Sequence, residues 1–284
     1  MHIGAVMFFT TDSMQPVPLA RALEERGFES LWVPEHTHIP LSRKTPYRAG
    51  GALIRPYYDI YDPFIALHTA AVVTTNLKIG TGVALITQRD PIVTAKMISS
   101  IDQISSGRFL FGVGNGWNQD EVENHGTVFA TRNKLARERI ELMKTIWTQD
   151  EPEYHGDLVN FERSNQWPKP FQKPHPPIIV GGAFPYAARR AIRYGDGWIP
   201  RADRLEEGGV GVVIEKFRTM AQEAGRDPAS LPITIFRAPD DLEKLRYCQK
   251  IGVDRVTFTL PAEKEDTIMP ILDRWVEVRR QLEG

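Results

Sequence analysis

A (β/α)8 TIM barrel, as a single α/β domain over 1–284, is the fold this sequence predicts, on three observations. Short apolar runs alternate with longer helical patterns from one end to the other, the pattern of repeated βα units around a parallel sheet. Eight such runs can be counted. Eight parallel strands with right-handed crossovers close into a barrel, whereas an open doubly wound sheet normally stops at five or six. The length of 284 residues suits one α/β barrel, and a hydrophobic content of 42% is enough to fill its core.

The elements follow in order. Ile3 to Phe9 reads as strand one and Pro16 to Arg26 as its helix, with proline suited to the first turn and Gly27 to the end. Phe28 to Val33 is strand two. A polar stretch from Pro34 to Tyr61 precedes the helix Pro63 to Thr75, and a loop of that length in a compact domain is usually functional. Leu77 to Ile86 is strand three with the helix Pro91 to Ile104, and Arg108 to Val113 is strand four with the helix Lys134 to Trp147. Residues 149 to 176 are proline-rich and aperiodic, and are expected to be an insertion lying over the barrel mouth. Ile178 to Gly182, Gly197 to Pro200, Ile233 to Phe236 and Arg255 to Leu260 supply strands five to eight. Their helices are expected at Tyr186 to Tyr194, Val212 to Ala224, Asp241 to Ile251 and Ile268 to Gln281.

Charge and cysteine content narrow the partners. With 35 basic and 36 acidic residues, no global field draws the chain to nucleic acid or an anionic membrane. A small-molecule substrate is expected instead. The single cysteine, Cys248, builds neither a disulfide framework nor a thiolate metal site, and no other metal-ligand spacing emerges. A cytoplasmic protein is expected, since the N-terminus lacks the features of a signal peptide and no apolar run reaches membrane-span length.

In such barrels chemistry sits where the strands end. After strand two, Glu35 and His36 make a candidate acid/base pair, because histidine titrates near neutrality. Gly80 and Gly82 in strand three suggest a bulge, a close backbone approach to a ligand, or simply a barrel corner. Gly112, Gly114 and Gly116 after strand four leave a wall poor in side chains that could take a planar ring, with Asn115 offering donor and acceptor. Their spacing is not a dinucleotide fingerprint. Gly181-Gly182-Ala183 opens directly into a helix, a junction suited to a phosphate or merely to a tight turn. Trp198 reads as a packed structural residue.

Taken together, LWVPEH, KIGTGV, ISSGRFLFGVGNGW and IIVGGAFPYAARRAIRYGDGWIP resemble the bacterial luciferase-like family over nearly the whole chain, and more narrowly its branch dependent on the deazaflavin F420. The resemblance implies a flavin or deazaflavin in the mouth, with its ring against strands two to four and its phosphate near strand five. It implies a non-proline cis peptide at Gly82-Val83 with Val83 behind the ring, Asn115 at the ring, and Gly181, Gly182 and Ala183 at the phosphate. His36 would supply a proton, with Glu35 orienting or tuning the imidazole. Trp117 stands where sugar-phosphate dehydrogenases of the family carry a catalytic glutamate, which points to a more apolar substrate, and the segment 34–60, with Tyr47, Tyr57 and Tyr58, would line it.

The activity this implies is F420-dependent hydride transfer, with an FMN-dependent monooxygenase and a non-catalytic flavin-binding barrel as alternatives. Arg189, Arg190, Arg193, Lys169 and Lys173 are candidate contacts for the polyanionic tail of F420. A homodimer through the helices of the second and third units is also expected from the resemblance.

Overall fold

The computed structural model describes residues 1–47, 50–204 and 209–283. Eight parallel strands form the ring: β1 (His2–Val6), β2 (Ser30–Val33), β3 (Lys78–Thr81), β4 (Phe109–Gly114), β5 (Ile178–Gly181), β6 (Gly197–Ile199), β7 (Thr234–Ile235) and β8 (Arg255–Thr259). Pairing runs continuously from β7 through β8, β1, β2, β3, β4 and β5 to β6. Two single parallel bridges, Trp198 with Ile233 and Arg201 with Phe236, join β6 to β7 and close the circle. The predicted barrel is therefore what the chain builds.

The helices outside the ring are α1 (Pro16–Glu25), α2 (Pro63–Ala71), α3 (Pro91–Ile104), a short α4 (Gln119–Asn124), α5 (Arg132–Thr148), α6 (Tyr186–Tyr194), α7 (Val210–Glu223), α8 (Leu242–Lys250) and α9 (Glu265–Glu283). Proline in the first turn starts α1, α2 and α3, and the carboxylates of Asp62 and Asp90 cap α2 and α3 by accepting from backbone N–H groups. Between helices and strands lies one continuous apolar layer that includes Leu19, Leu67, Ile98, Ile140, Phe217 and Leu272. Inside the ring, Val6, Trp32, Leu110, Ile179, Ile199 and Phe236 form a second cluster, with half-buried Val83 packed against it. That cluster is the floor on which the mouth rests.

Strand three departs from its predicted length. It stops at Thr81, and Ala84–Leu85 resumes pairing with β4 after a break at Gly82 and Val83, whose peptide bond is cis as the resemblance implies. The glycines around this break serve packing. A Cβ on Gly80 would lie 2.7 Å from the Trp32 ring, one on Gly112 1.9 Å from the Thr81 carbonyl, and one on Gly114 2.5 Å from a Val83 methyl. Gly112 and Gly114 therefore make room for strand three rather than presenting a bare wall to a planar ring, which corrects the sequence reading.

The segment 149–176 lies between β4 and β5 and is anchored along the outside of α3 and α5. Glu138 on α5 accepts from Leu158 and Val159 N–H groups, and Asp102 near the end of α3 accepts from Gln172. Gln172 also donates to the carbonyl of Phe109, where β4 starts. Because helices in a βα unit run back against the strands, Asp102 and Phe109 lie at the end of the barrel opposite the site, whereas Glu138, in the first half of α5, lies nearer the mouth. Among the described residues no helix is long and apolar enough to cross a membrane.

Candidate active site

At the C-terminal ends of β1 to β4 the mouth is lined by aromatic rings around one imidazole. The His36 ring lies 5.2 Å from that of Tyr57 and meets Trp117 edge-on at 6.0 Å. Tyr47 sits against both Tyr57 and Trp117, and Phe8, just past β1, packs on Tyr57 at 5.3 Å. The loop 34–61 brings Tyr47 and Tyr57 here, and the N–H of Tyr61 bonded to the carbonyl of Phe9 fixes where it returns. Of the three tyrosines predicted to line this side, Tyr58 is instead exposed.

His36 has a carboxylate partner, but it is Glu121 and not Glu35. The Nδ1 of His36 lies 2.9 Å from Oε2 of Glu121, a side chain buried in the first turn of α4. With Nδ1 held by a carboxylate, Nε2 is the nitrogen left to exchange a proton. Glu35 turns the other way. Its carboxylate accepts from the Leu85 N–H at 2.6 Å and from Arg89 Nε at 2.6 Å, and Arg89 continues to Asp62. Burial pushes the Glu35 carboxyl up, against the pull of Arg89 and the Leu85 amide. Glu35 thus fixes the backbone just past the cis peptide, and its expected contact with His36 is absent. Sequence reading missed Glu121 because adjacency along the chain favoured Glu35. The available signal was the acidic run Asp120-Glu121 directly after GVGNGWNQ, at the start of a helix that follows a barrel strand.

The structure brings the other predicted residues to the rim between β3 and β6. The Val83 methyls fill the space that Gly114 and Gly181 leave open. Asn115 donates from Nδ2 to Asn133 Oδ1 at 2.7 Å, so its carbonyl oxygen retains free acceptor capacity. Gly182 has φ +126, and its carbonyl accepts from Trp198 Nε1 at 3.1 Å while its N–H reaches the Ile199 carbonyl at 3.4 Å. Trp198 is fully buried against Phe217 and sets this turn, the structural role read from the sequence.

Whether this turn fits a phosphate can be judged from what surrounds it. Ala183 and Phe184 N–H groups have no backbone acceptor among the described residues, and they precede α6. The Arg190 guanidinium reaches within 3.5 Å of where a Gly182 Cβ would be. Its Nε and that of Arg132 are buried without a partner, and burial together with Arg190 lowers the pKa of Arg132. Two half-buried cations beside open amides are the setting an anion neutralises. A phosphate fits.

The proposed tail contacts do not all survive. Lys169 is buried and donates to the carbonyls of Ile146 and Gln149 at the end of α5, and Lys173 donates to the Pro170 carbonyl. Both are structural and remote from the mouth. Arg189 and Arg193 are exposed on α6, and only Arg190 turns toward the glycine turn.

A histidine–carboxylate pair and an arginine-flanked glycine turn at the carboxyl ends of parallel barrel strands are the layout of a TIM-barrel enzyme. The chain belongs to the luciferase-like monooxygenase family, whose profile matches residues 14–239. It is 37% identical over 286 residues to an uncharacterised protein of Mycobacterium tuberculosis, covering 96% of this chain and 97% of that one. It is 27% identical over 230 residues to an F420-dependent hydroxymycolic acid dehydrogenase of the same organism, covering 78% and 57%. An FMNH2-dependent dimethylsulfone monooxygenase of Pseudomonas putida is 33% identical over 138 residues, 48% of this chain and 38% of that one. Among solved structures, a monooxygenase from Streptomyces bottropensis superposes with a TM-score of 0.80 at 18% identity, covering both chains fully. An F420-dependent secondary alcohol dehydrogenase gives 0.73 at 20% identity over 98% of this chain and 97% of that one. At those identities the structural likeness speaks to the fold. The family contains both F420-dependent and FMN-dependent enzymes, and the protein is an oxidoreductase of this luciferase-like class.

Proposed function

We propose that the protein is an F420-dependent oxidoreductase acting on a small organic substrate with an apolar body, with His36 as the acid/base and Glu121 as the residue that holds it. The observation that carries this reading is the His36–Glu121 pair inside an aromatic wall. Oxidising an alcohol requires a base for its hydroxyl proton as the hydride leaves carbon, and the reverse reaction requires the corresponding acid. When bound, the deazaflavin supplies the two-electron acceptor or donor.

The chain's own residues do the rest. Glu121 accepts from Nδ1, so the imidazole presents Nε2 to the substrate oxygen. Phe8, Tyr47, Tyr57 and Trp117 exclude water around that nitrogen. Val83 would support the ring, Asn115 would accept from or donate to its polar edge, and Gly181, Gly182 and Ala183, with Arg190 and Arg132, would hold the phosphate. Glu35 serves as a positioning residue, bracing through Leu85 and Arg89 the turn that carries Val83. An FMN-dependent monooxygenase is the second reading, favoured by the Pseudomonas relative, and the phosphate site alone accommodates it equally well.

The test is turnover of a panel of alcohols and hydroxy acids with F420, read as cofactor reduction. His36→Ala is expected to lower kcat about 100-fold or more while cofactor affinity stays within a few-fold, as for a proton-transfer group. Unchanged turnover would remove His36 from the chemistry.

A further inference from the structure

Across the mouth from His36 two arginines follow β6 and β7, and the cofactor reading gives neither of them a task. Arg201 and Phe236 form a parallel bridge, which places Arg201 and the adjacent Arg237 side by side on the rim. Arg237 has φ +62, a conformation that non-glycine residues seldom adopt, and it is held there by its N–H on Thr257 Oγ1 and its Nε on Thr259 Oγ1, both 3.2 Å. Those two bonds aim the side chain and leave the Nη end unused. No carboxylate among the described residues pairs with Arg237, whereas Arg201 is tied to Asp203 by bonds of 2.9 and 2.6 Å.

Thr259, the acceptor of Arg237 Nε, pairs in register with Val6 of β1, two residues before Phe8, whose ring packs on Tyr57. Arg237 therefore lies on the same side of the mouth as the aromatic wall, and both guanidinium charges act on the Tyr57 hydroxyl. Tyr47 donates to the Tyr57 hydroxyl at 3.5 Å, which leaves the Tyr57 proton available to another acceptor. Burial, with the Tyr47 contact, pushes the Tyr57 pKa to about 12, so that proton is retained at neutral pH. A cation without a carboxylate and a phenol donor thus converge beside rings that take an apolar body.

Building on the proposed function, we infer that the substrate carries a carboxylate, bound by the Nη end of Arg237 and the hydroxyl of Tyr57, with its apolar body against Tyr47, Tyr57 and Trp117 and its reacting carbon toward His36. The planar guanidinium fork matches a carboxylate in two parallel hydrogen bonds, which a lysine could not reproduce. Arg201, already neutralised by Asp203, adds field rather than a contact. The expected substrates are therefore hydroxy or oxo acids with an aryl or branched alkyl body, and not neutral alcohols.

The test compares 3-phenylpropanoate with 3-phenylpropanamide, which share a shape and differ in charge. Their binding is measured by ligand-detected NMR and calorimetry on the purified protein, with and without added F420. The acid is expected to bind at least about tenfold more tightly than the amide. Arg237→Met is expected to abolish that difference, Arg237→Lys to restore part of it, and His36→Ala to leave it intact. Equal binding of acid and amide by the parent protein would overturn the inference, as would an Arg237→Met variant of unchanged melting temperature that retains the preference. F420 binding is titrated separately, so failure of the cofactor assignment would leave the acid-to-amide ratio readable.

Discussion

Gly182 shows how one residue can carry both a fold requirement and a functional one. At φ +126 a side chain is strained, and a Cβ would sit 3.1 Å from that of Ala187 and 3.5 Å from Arg190. Gly182→Val is therefore expected to push Arg190 away from the turn and to weaken cofactor binding at least tenfold, with a smaller effect on kcat at saturating cofactor. Calorimetric titration checks this, and a variant that binds cofactor normally would remove the turn from the phosphate site. The sequence suggested this glycine and His36 from their places at strand ends, and Val83 through the family resemblance. It did not suggest Glu121, Arg132 or Arg237. Their roles depend on which way a side chain turns and on partners 85 residues away in the case of His36 and Glu121, and neither is encoded in local pattern.

Among the elements, β2 and β8 are tied at their starting ends by a nearly buried ion pair. Arg255 donates to both oxygens of Glu29 at 2.6 and 2.5 Å and also reaches Thr234 at the start of β7. Burial tends to raise the Glu29 carboxyl, but the bonds and charge of Arg255, with help from Ser30 and Lys78, prevail and hold it at about 2, against an ordinary value of 4.5. Because the folded pKa is depressed, the stabilisation is present above about pH 4.5 and is lost as pH falls toward 2. At about 1.4 kcal/mol per pKa unit, the ionised form contributes on the order of 3 kcal/mol. Glu29→Gln is expected to melt earlier at neutral pH, and the gap to the parent should close between pH 4.5 and 2. A gap independent of pH would show that the pair contributes by packing alone. Strand order and helix positions were legible because period and punctuation are local. The course of 149–176 was not, since its anchors Glu138, Asp102 and Phe109 lie on other elements.

For the whole molecule, the barrel divides its labour between two ends. Ion pairs and arginine contacts knit the strand starts together, while the opposite end carries loops, rings and half-buried cations. The outer faces of α2 and α3 also expose Ile65, Val72, Ile92, Val93 and Ile104, although the helices are otherwise well packed. These are the helices through which a homodimer is proposed. Light scattering at micromolar concentration is expected to give twice the 32.2 kDa chain mass, and the double variant Ile65→Glu, Val93→Glu to give the monomer. A parent chain that scatters as a monomer would reject the dimer.

The cofactor is the point on which the functional account turns, because it decides whether oxygen chemistry is available at all. FMN and F420 share a phosphate, which the Gly182 turn, Arg190 and Arg132 are suited to hold, but F420 continues into a polyanionic tail. With Lys169 and Lys173 committed to backbone carbonyls, exposed Arg189 and Arg193 on α6 remain as the charges that tail would meet. Contacts of that kind are screened by salt more than the half-buried phosphate site is. Direct calorimetric titration of the purified protein with F420 and with FMN, at low and high ionic strength, is the decisive measurement. F420 is expected to bind at least about tenfold more tightly at low salt, with its advantage shrinking as salt is raised; equal or tighter binding of FMN would contradict the account and favour the monooxygenase.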